Sequence, residues 1–185
     1  MTAQLVREHP IRSDELVEVV LDTWRDVFES RIGKRGFRLG YEIKPTPQIM
    51  GNYLHELIPL EFEHRYPGVW RKQQSKDEKD LVHLPEDRFS IEIKSSSHKT
   101  NIFGNRSYGQ QTLDNDGRKK KSGFYLAINF EKFGAGPELP QITKVRFGWL
   151  DHADWNPQGA ATGQAARLLP QTERSKLLTL YPRGG

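Results

Sequence analysis

Apolar positions in the first third of the chain recur at helical spacing. Between residues 13 and 31, Leu16, Val19, Val20, Trp24, Val27 and Phe28 stand three and four positions apart. Ser13 and Asp14 offer an N-cap, and Gly33 and Gly36 lie beyond the end. This predicts an amphipathic packing helix. After a break at Pro45 and Pro47, the stripe Ile49, Tyr53, Leu57 and Leu60 predicts a second helix over residues 48–65. Pro59 falls inside that pattern and should kink or split the helix, which Pro67 and Gly68 close.

Further along, the period shortens to two. Residues 71–79 are charged and read as a loop, 80–84 as an extended segment, and Pro85, Glu86 and Asp87 as a turn. Residues 89–95 alternate apolar and polar, so a hairpin is expected there. Residues 96–121 are polar, with glycines at 104, 109 and 117, and read as a loop carrying a short helix near 108–113. The apolar run 123–130 is the best central strand, 144–151 is another strand, 163–169 a short helix and 177–181 an edge strand. The succession predicts an α/β or α+β arrangement around a mixed sheet. One domain over 1–185 is expected, with 1–45 as N-terminal helix and linker and 46–185 as the core.

Composition narrows the functional classes. Hydrophobic residues are only 35% of the 185, yet 4 Trp, 6 Tyr and 9 Phe argue for a packed core rather than disorder. The net charge of +4 and isoelectric point of about 9.3 suit a polyanionic partner. The absence of cysteine excludes disulfides, thiolate metal sites and a cysteine nucleophile. No apolar run reaches the ~18 residues of a membrane span, and the first ten residues lack the apolar centre of a signal peptide. A soluble intracellular protein without a membrane partner is expected.

The chemistry concentrates between residues 80 and 94. In a strand, residues two apart share a face, so Glu92 and Lys94 point together while Ile91 and Ile93 face the core. An acid on the neighbouring strand would complete a set of two carboxylates and one ammonium. Oxygen ligands of this kind suit Mg²⁺, which polarises a phosphate and acidifies a bound water. Lys94 would position the attacking water or take its proton, and offset charge in the transition state. The plain alternative is a surface Glu–Lys ion pair. For the upstream acid, Asp80 is preferred to Asp87, which stands only five residues before Glu92.

Downstream, Ser95, Ser96, Ser97, His98, Lys99, Asn101, Asn105, Arg106, Tyr108 and Gln110 form a polar stretch suited to phosphate and base-edge contacts. Arg106 suits guanine, and Asn105 or Gln110 adenine, by bidentate hydrogen bonds. The basic run Arg118, Lys119, Lys120, Lys121 is a candidate phosphate patch or a solvated turn. Asp151, His152, Asp154 and Trp155 read as a second metal site or, more simply, as a polar strand end.

The pattern Asp80…Glu92-Ile93-Lys94 resembles the PD-(D/E)xK nuclease signature. The stretch from Glu92 through Ile102-Phe-Gly-Asn-Arg-Ser-Tyr108 to Gln110, with Phe147-Gly-Trp-Leu-Asp151 and Thr162-Gly-Gln164, is similar to ScaI-like type II restriction endonucleases. One departure is that Lys79, not proline, precedes Asp80. The resemblance implies a restriction-endonuclease-like core with a mixed sheet flanked by helices. It also implies Mg²⁺-dependent cleavage of double-stranded DNA at a short palindrome, a homodimer and a prokaryotic cytoplasmic setting. It points to Glu56 as an accessory metal ligand, because nucleases of this fold often place a helix carboxylate beside the metal. Gly163 and Gln164 are implied in a DNA-facing turn. Two other readings are a structure-selective repair or junction-resolving nuclease of the same fold, and a DNA-binding protein without catalysis.

Overall fold

A computed structural model describes residues 2–105, 121–134, 138–157 and 165–182. Helices α1 (Thr2–Glu8) and α2 (Ser13–Glu29) precede a small ribbon of β1 (Arg31–Ile32) and β2 (Phe37–Arg38). Helix α3 (Pro47–Arg65) then leads into β3 (Trp70–Lys72), β4 (Leu81–His83) and β5 (Ile91–Ser96). After them come β6 (Phe103–Asn105), β7 (Gly123–Phe130), β8 (Ile142–Leu150), β9 (Trp155–Pro157) and β10 (Ala165–Leu168). The C-terminal part is α4 (Pro170–Lys176) and β11 (Leu178–Tyr181).

Six strands form one mixed sheet in the order β11-β8-β7-β5-β4-β3. Only the β5–β7 ladder is parallel. On one face, Ile91, Ile93, Phe124, Leu126, Ile128, Val145 and Phe147 bury against α1, α2 and α3. The other face carries Tyr125, Ala127 and Leu150, covered by Trp155, Ala166, Leu168 and Leu177. The covering strands form a second sheet, β6-β10-β9. The result is the expected α/β architecture of a mixed sheet flanked by helices. No described helix is long and apolar enough to cross a membrane.

Several expectations are corrected in detail. Helix α3 runs unbroken through Pro59, which is itself buried. A proline there costs one backbone hydrogen bond, and burial of Met50, Leu54, Ile58 and Phe62 on either side offsets the loss. That buried stripe is one position away from the expected one, and Ile49 and Leu60 are exposed. Residues 165–168, expected to be helical, form β10, paired antiparallel to both β6 and β9. Arg71 and Lys72 belong to β3 and residues 103–105 to β6, where loops were expected. The expected helix at 108–113 lies outside the described residues.

The N-terminal segment is tied to the sheet by His9. It is 5% exposed, and Phe89, Phe124, Phe147 and Trp70 surround its ring. Nε2–H donates to the Phe89 carbonyl at 3.0 Å, and Nδ1 accepts from the Ile11 N–H at 3.2 Å. Burial pushes the imidazole down from 6.5 to about 4, against two backbone hydrogen bonds that raise it. The folded state therefore binds fewer protons than the unfolded chain between these values. Stability is complete above the unfolded value and falls with pH towards about 4, by about 3 kcal/mol. His9→Gln should flatten that decline. Urea midpoints at neutral and acid pH measure it, and an equal acid loss in both proteins would exclude His9 as its source.

Candidate active site

Asp80 stands immediately before β4, where the β4–β5 ladder stops after Leu81↔Ile91. Its side chain takes over the next ladder position, with Oδ2 accepting the Ile93 N–H at 2.6 Å. A buried N–H that would otherwise lack its strand partner thus fixes the carboxylate in one place. One strand over, Glu92 and Lys94 share the face opposite Ile91 and Ile93. Lys94 Nζ donates to Glu92 Oε1 at 2.6 Å. The Glu92 side chain is 2% exposed and that of Lys94 13%, so this is not the solvated surface pair of the plain alternative. Asp87 is elsewhere: it is exposed, accepts the Ser90 hydroxyl at 3.0 Å, and stabilises the turn between the strands.

Asp80, Glu92 and Lys94 open onto a common cleft of about 560 Å³. Ser95 and Asn105, from the stretch expected to meet DNA, line it too. Lys76 and Lys121 join Lys94 on its wall, so three ammonium groups stand against the two carboxylates. Lys79 precedes Asp80 where the resemblance would place a proline. It is buried, packs against Gly123, whose Cβ would come within 2.6 Å of Lys79 Cε, and holds its ammonium 5.5 Å from the Tyr125 ring centre.

Helix α3 supplies a wall that the expected stripe did not. At Gly51 the helix meets β5 closely, since a Cβ there would lie 2.7 Å from Ser95 Oγ. This approach turns Asn52 and His55 into the cleft, and His55 Nδ1 lies 3.6 Å from Asp80 Oδ2. Glu56 is not brought to the site. Its side chain is 55% exposed and paired with Lys72. The helix is rotated by about one residue, or ~100°, from the phase assumed, so position 55 faces the acids and position 56 faces away.

The loop after β5 is fixed from within. His98 Nδ1 accepts the backbone N–H groups of Thr100 and Asn101 at 3.2 and 3.0 Å, and Ser96 Oγ accepts the His98 N–H. Asn129 Nδ2 donates to the His98 and Asn101 carbonyls at 2.8 and 3.1 Å. Beneath lies Arg146, 5% exposed. It donates to Glu173 Oε2 at 3.1 Å, the Thr100 carbonyl at 2.6 Å and Asn129 Oδ1 at 2.8 Å. Ser96, His98 and Asn101 therefore shape the loop, while Ser97 is half-buried and Lys99 exposed. Arg106, Tyr108, Gln110, Arg118, Lys119, Lys120, Gly163 and Gln164 lie outside the described residues.

The Asp151–Asp154 cluster is a structural joint. The two acids cap one turn reciprocally, and both accept Lys176 Nζ at 2.7 Å. That hydrogen bond, against partial burial and helped by Trp149, holds the Asp151 carboxyl below its usual range. Among the described residues no group of three or more His, Asp or Glu is placed to hold a metal unaided.

A mixed sheet flanked by helices, with two acids and a lysine on neighbouring strands facing a basic cleft, is compatible with the restriction-endonuclease-like fold. Comparison with known proteins gives the particular group. The sequence profile of the ScaI restriction endonuclease matches residues 1–181. A type II restriction enzyme, ScaI, from Streptomyces caespitosus is 47% identical over 185 residues, covering 100% of this chain and 80% of the relative. The chain belongs to the ScaI restriction endonuclease family and is a type II site-specific endonuclease.

Proposed function

We propose that the protein hydrolyses phosphodiester bonds of double-stranded DNA at a short palindromic sequence, with Mg²⁺ held by Asp80 and Glu92. The observation that carries this reading is the convergence of buried Asp80 and Glu92 with Lys94 on one basic cleft. The donor set fits a hard divalent cation, since Mg²⁺ takes one or two carboxylates and fills its remaining positions with water and phosphate oxygens. Bound there, it polarises the scissile phosphate and lowers the pKa of a coordinated water.

The chain's own groups do the rest. The Ile93 N–H holds Asp80 in a single orientation, so no reorganisation is needed when substrate arrives. Lys94, fixed by Glu92, orients the attacking water and offsets charge growing on the phosphate oxygens. Ser95 and Asn105 on the cleft wall contact the sugar-phosphate backbone or base edges near the cut. Lys76 and Lys121 supply sequence-independent attraction for the strand. With one such cleft among the described residues of each chain and two strands to cut, two protomers are called for, and two-fold symmetry of a homodimer matches a palindromic target.

Digestion of plasmid DNA tests this. Discrete fragments are expected with Mg²⁺, none with a chelator, and run-off sequencing should place the cuts symmetrically on the two strands. A smear, or cleavage indifferent to chelation, would remove the proposal. Cutting confined to branched substrates would replace it with a structure-selective nuclease.

A further inference from the structure

The β1–β2 ribbon and its flanks concentrate positive charge. Arg31, Lys34, Arg35 and Lys44 are exposed. No described carboxylate forms an ion pair with any of them, whereas Arg12, Arg25, Arg65, Arg71 and Arg88 each lie against one. Arg31 and Arg38 sit directly opposite each other across the ribbon. Glu42 stands beside this pair, accepting the Arg38 N–H at 2.8 Å, and both arginines help to hold its carboxyl below the usual range. Arg38 stacks 3.7 Å over the Tyr41 ring, and Phe37 and Tyr41 are 43% and 47% exposed.

The tip is built for close approach. Gly33 (φ +70) and Gly36 (φ +67) occupy left-handed positions on either side of Lys34 and Arg35, and the Gly36 N–H bonds the Gly33 carbonyl at 3.0 Å. The two basic side chains thus project from a narrow two-stranded turn. A two-stranded ribbon fits the DNA major groove.

The ribbon also stands at the right end of the molecule. Its root at Gly40 packs on Phe28 and Leu139, and Phe28 meets Phe133 just past β7. That is the carboxyl end of the parallel β5–β7 pair, where Gly51 of α3 meets Ser95 and the 96–101 loop departs.

From these observations we infer that the β1–β2 ribbon is a DNA-binding arm, with Lys34 and Arg35 meeting phosphates outside the catalytic cleft. The inference rests on the nuclease reading above. Each neutralised phosphate contributes about 0.9 to the slope of log affinity against log salt. Removing two lowers the slope by about 1.8 and weakens binding about 60-fold at ~0.1 M salt.

The test is anisotropy titration of a ~30-base-pair duplex, in chelator to prevent cleavage, across a salt series. Lys34→Gln/Arg35→Gln should show the smaller slope and the weaker affinity with an unchanged melting midpoint, and Lys34→Glu/Arg35→Glu a larger loss. Arg7→Gln/Arg88→Gln removes the same charge from α1 and from the turn beside Phe124, away from the ribbon, and should bind like wild type. Equal affinity and slope in wild type and the tip variant overturns the arm while leaving the nuclease reading intact. An equal loss in both double variants also overturns it, because net charge alone then explains the effect. A wild-type protein that neither binds nor cuts duplex DNA overturns both.

Discussion

Lys94→Ala is expected to lower single-turnover cleavage by about 10²–10⁴-fold, the usual worth of a positioned proton-transfer or charge-stabilising group. DNA affinity measured in chelator should change little, because one ammonium among the three on the cleft wall supplies only part of the attraction. Glu92→Gln should lose at least as much activity, since it removes a proposed metal oxygen and the anion that holds Lys94. Asp80→Asn keeps an acceptor for the Ile93 N–H and so separates chemistry from folding. Its melting midpoint should stay near wild type while cleavage collapses. Glu56→Ala, in contrast, breaks a surface pair with Lys72 and should leave rates within about twofold. Lys94→Ala cutting within tenfold of wild type, or Glu56→Ala cutting as poorly as Glu92→Gln, would displace the assignment.

Arg146→Met is expected to destabilise the protein by about 3–5 kcal/mol, because Glu173 is left as a buried charge without its partner. Glu173 is 7% exposed and Asn129 fully buried, so water cannot easily replace the guanidinium. The same change frees the Thr100 carbonyl and one anchor of Asn129. The loop between β5 and β6 should then loosen along with the global loss. Arg146→Met/Glu173→Leu should recover part of the stability, since two apolar groups of similar size satisfy one another. It should not recover the loop, because the Ile102 N–H also loses Glu173 Oε1, 3.4 Å away. Urea unfolding of the two single variants and the double variant gives the coupling energy. Strictly additive losses would show that the three groups do not act as one network.

Much of this architecture is readable in the chain because local patterns there have one solution. The run 123–130 is apolar at every position but Asn129 and becomes the fully buried β7. The meeting of Asp80 with Glu92 and Lys94 is readable because two antiparallel segments that follow one another in the chain, with one face apolar, leave few registers in which their polar residues can oppose each other. Helix α3 is where periodicity fails. It carries two apolar stripes, Ile49-Tyr53-Leu57 and Met50-Leu54-Ile58, that differ by one residue. Both satisfy helical spacing, and only packing against the sheet selects the second. That phase turns His55 towards Asp80 and leaves Glu56, to which the resemblance pointed, on the exposed side beside Lys72. The stretch 165–168 fails differently. Ala-Ala-Arg-Leu has strong helix formers, and the exposed backbones of β6 and β9 override a propensity worth only tenths of a kcal/mol per residue.

Alternate residues of β5 supply both the aromatic-lined core and the proposed catalytic groups, with Phe124 beside Ile91 and Tyr125 beside Glu92 in the parallel ladder. A slip of that strand by one position drives two charged side chains into the hydrocarbon interior and presents isoleucines to the cleft. Such a slip costs the fold its core and, on the proposed reading, the cleft its carboxylate and ammonium together, so a single register serves both packing and chemistry.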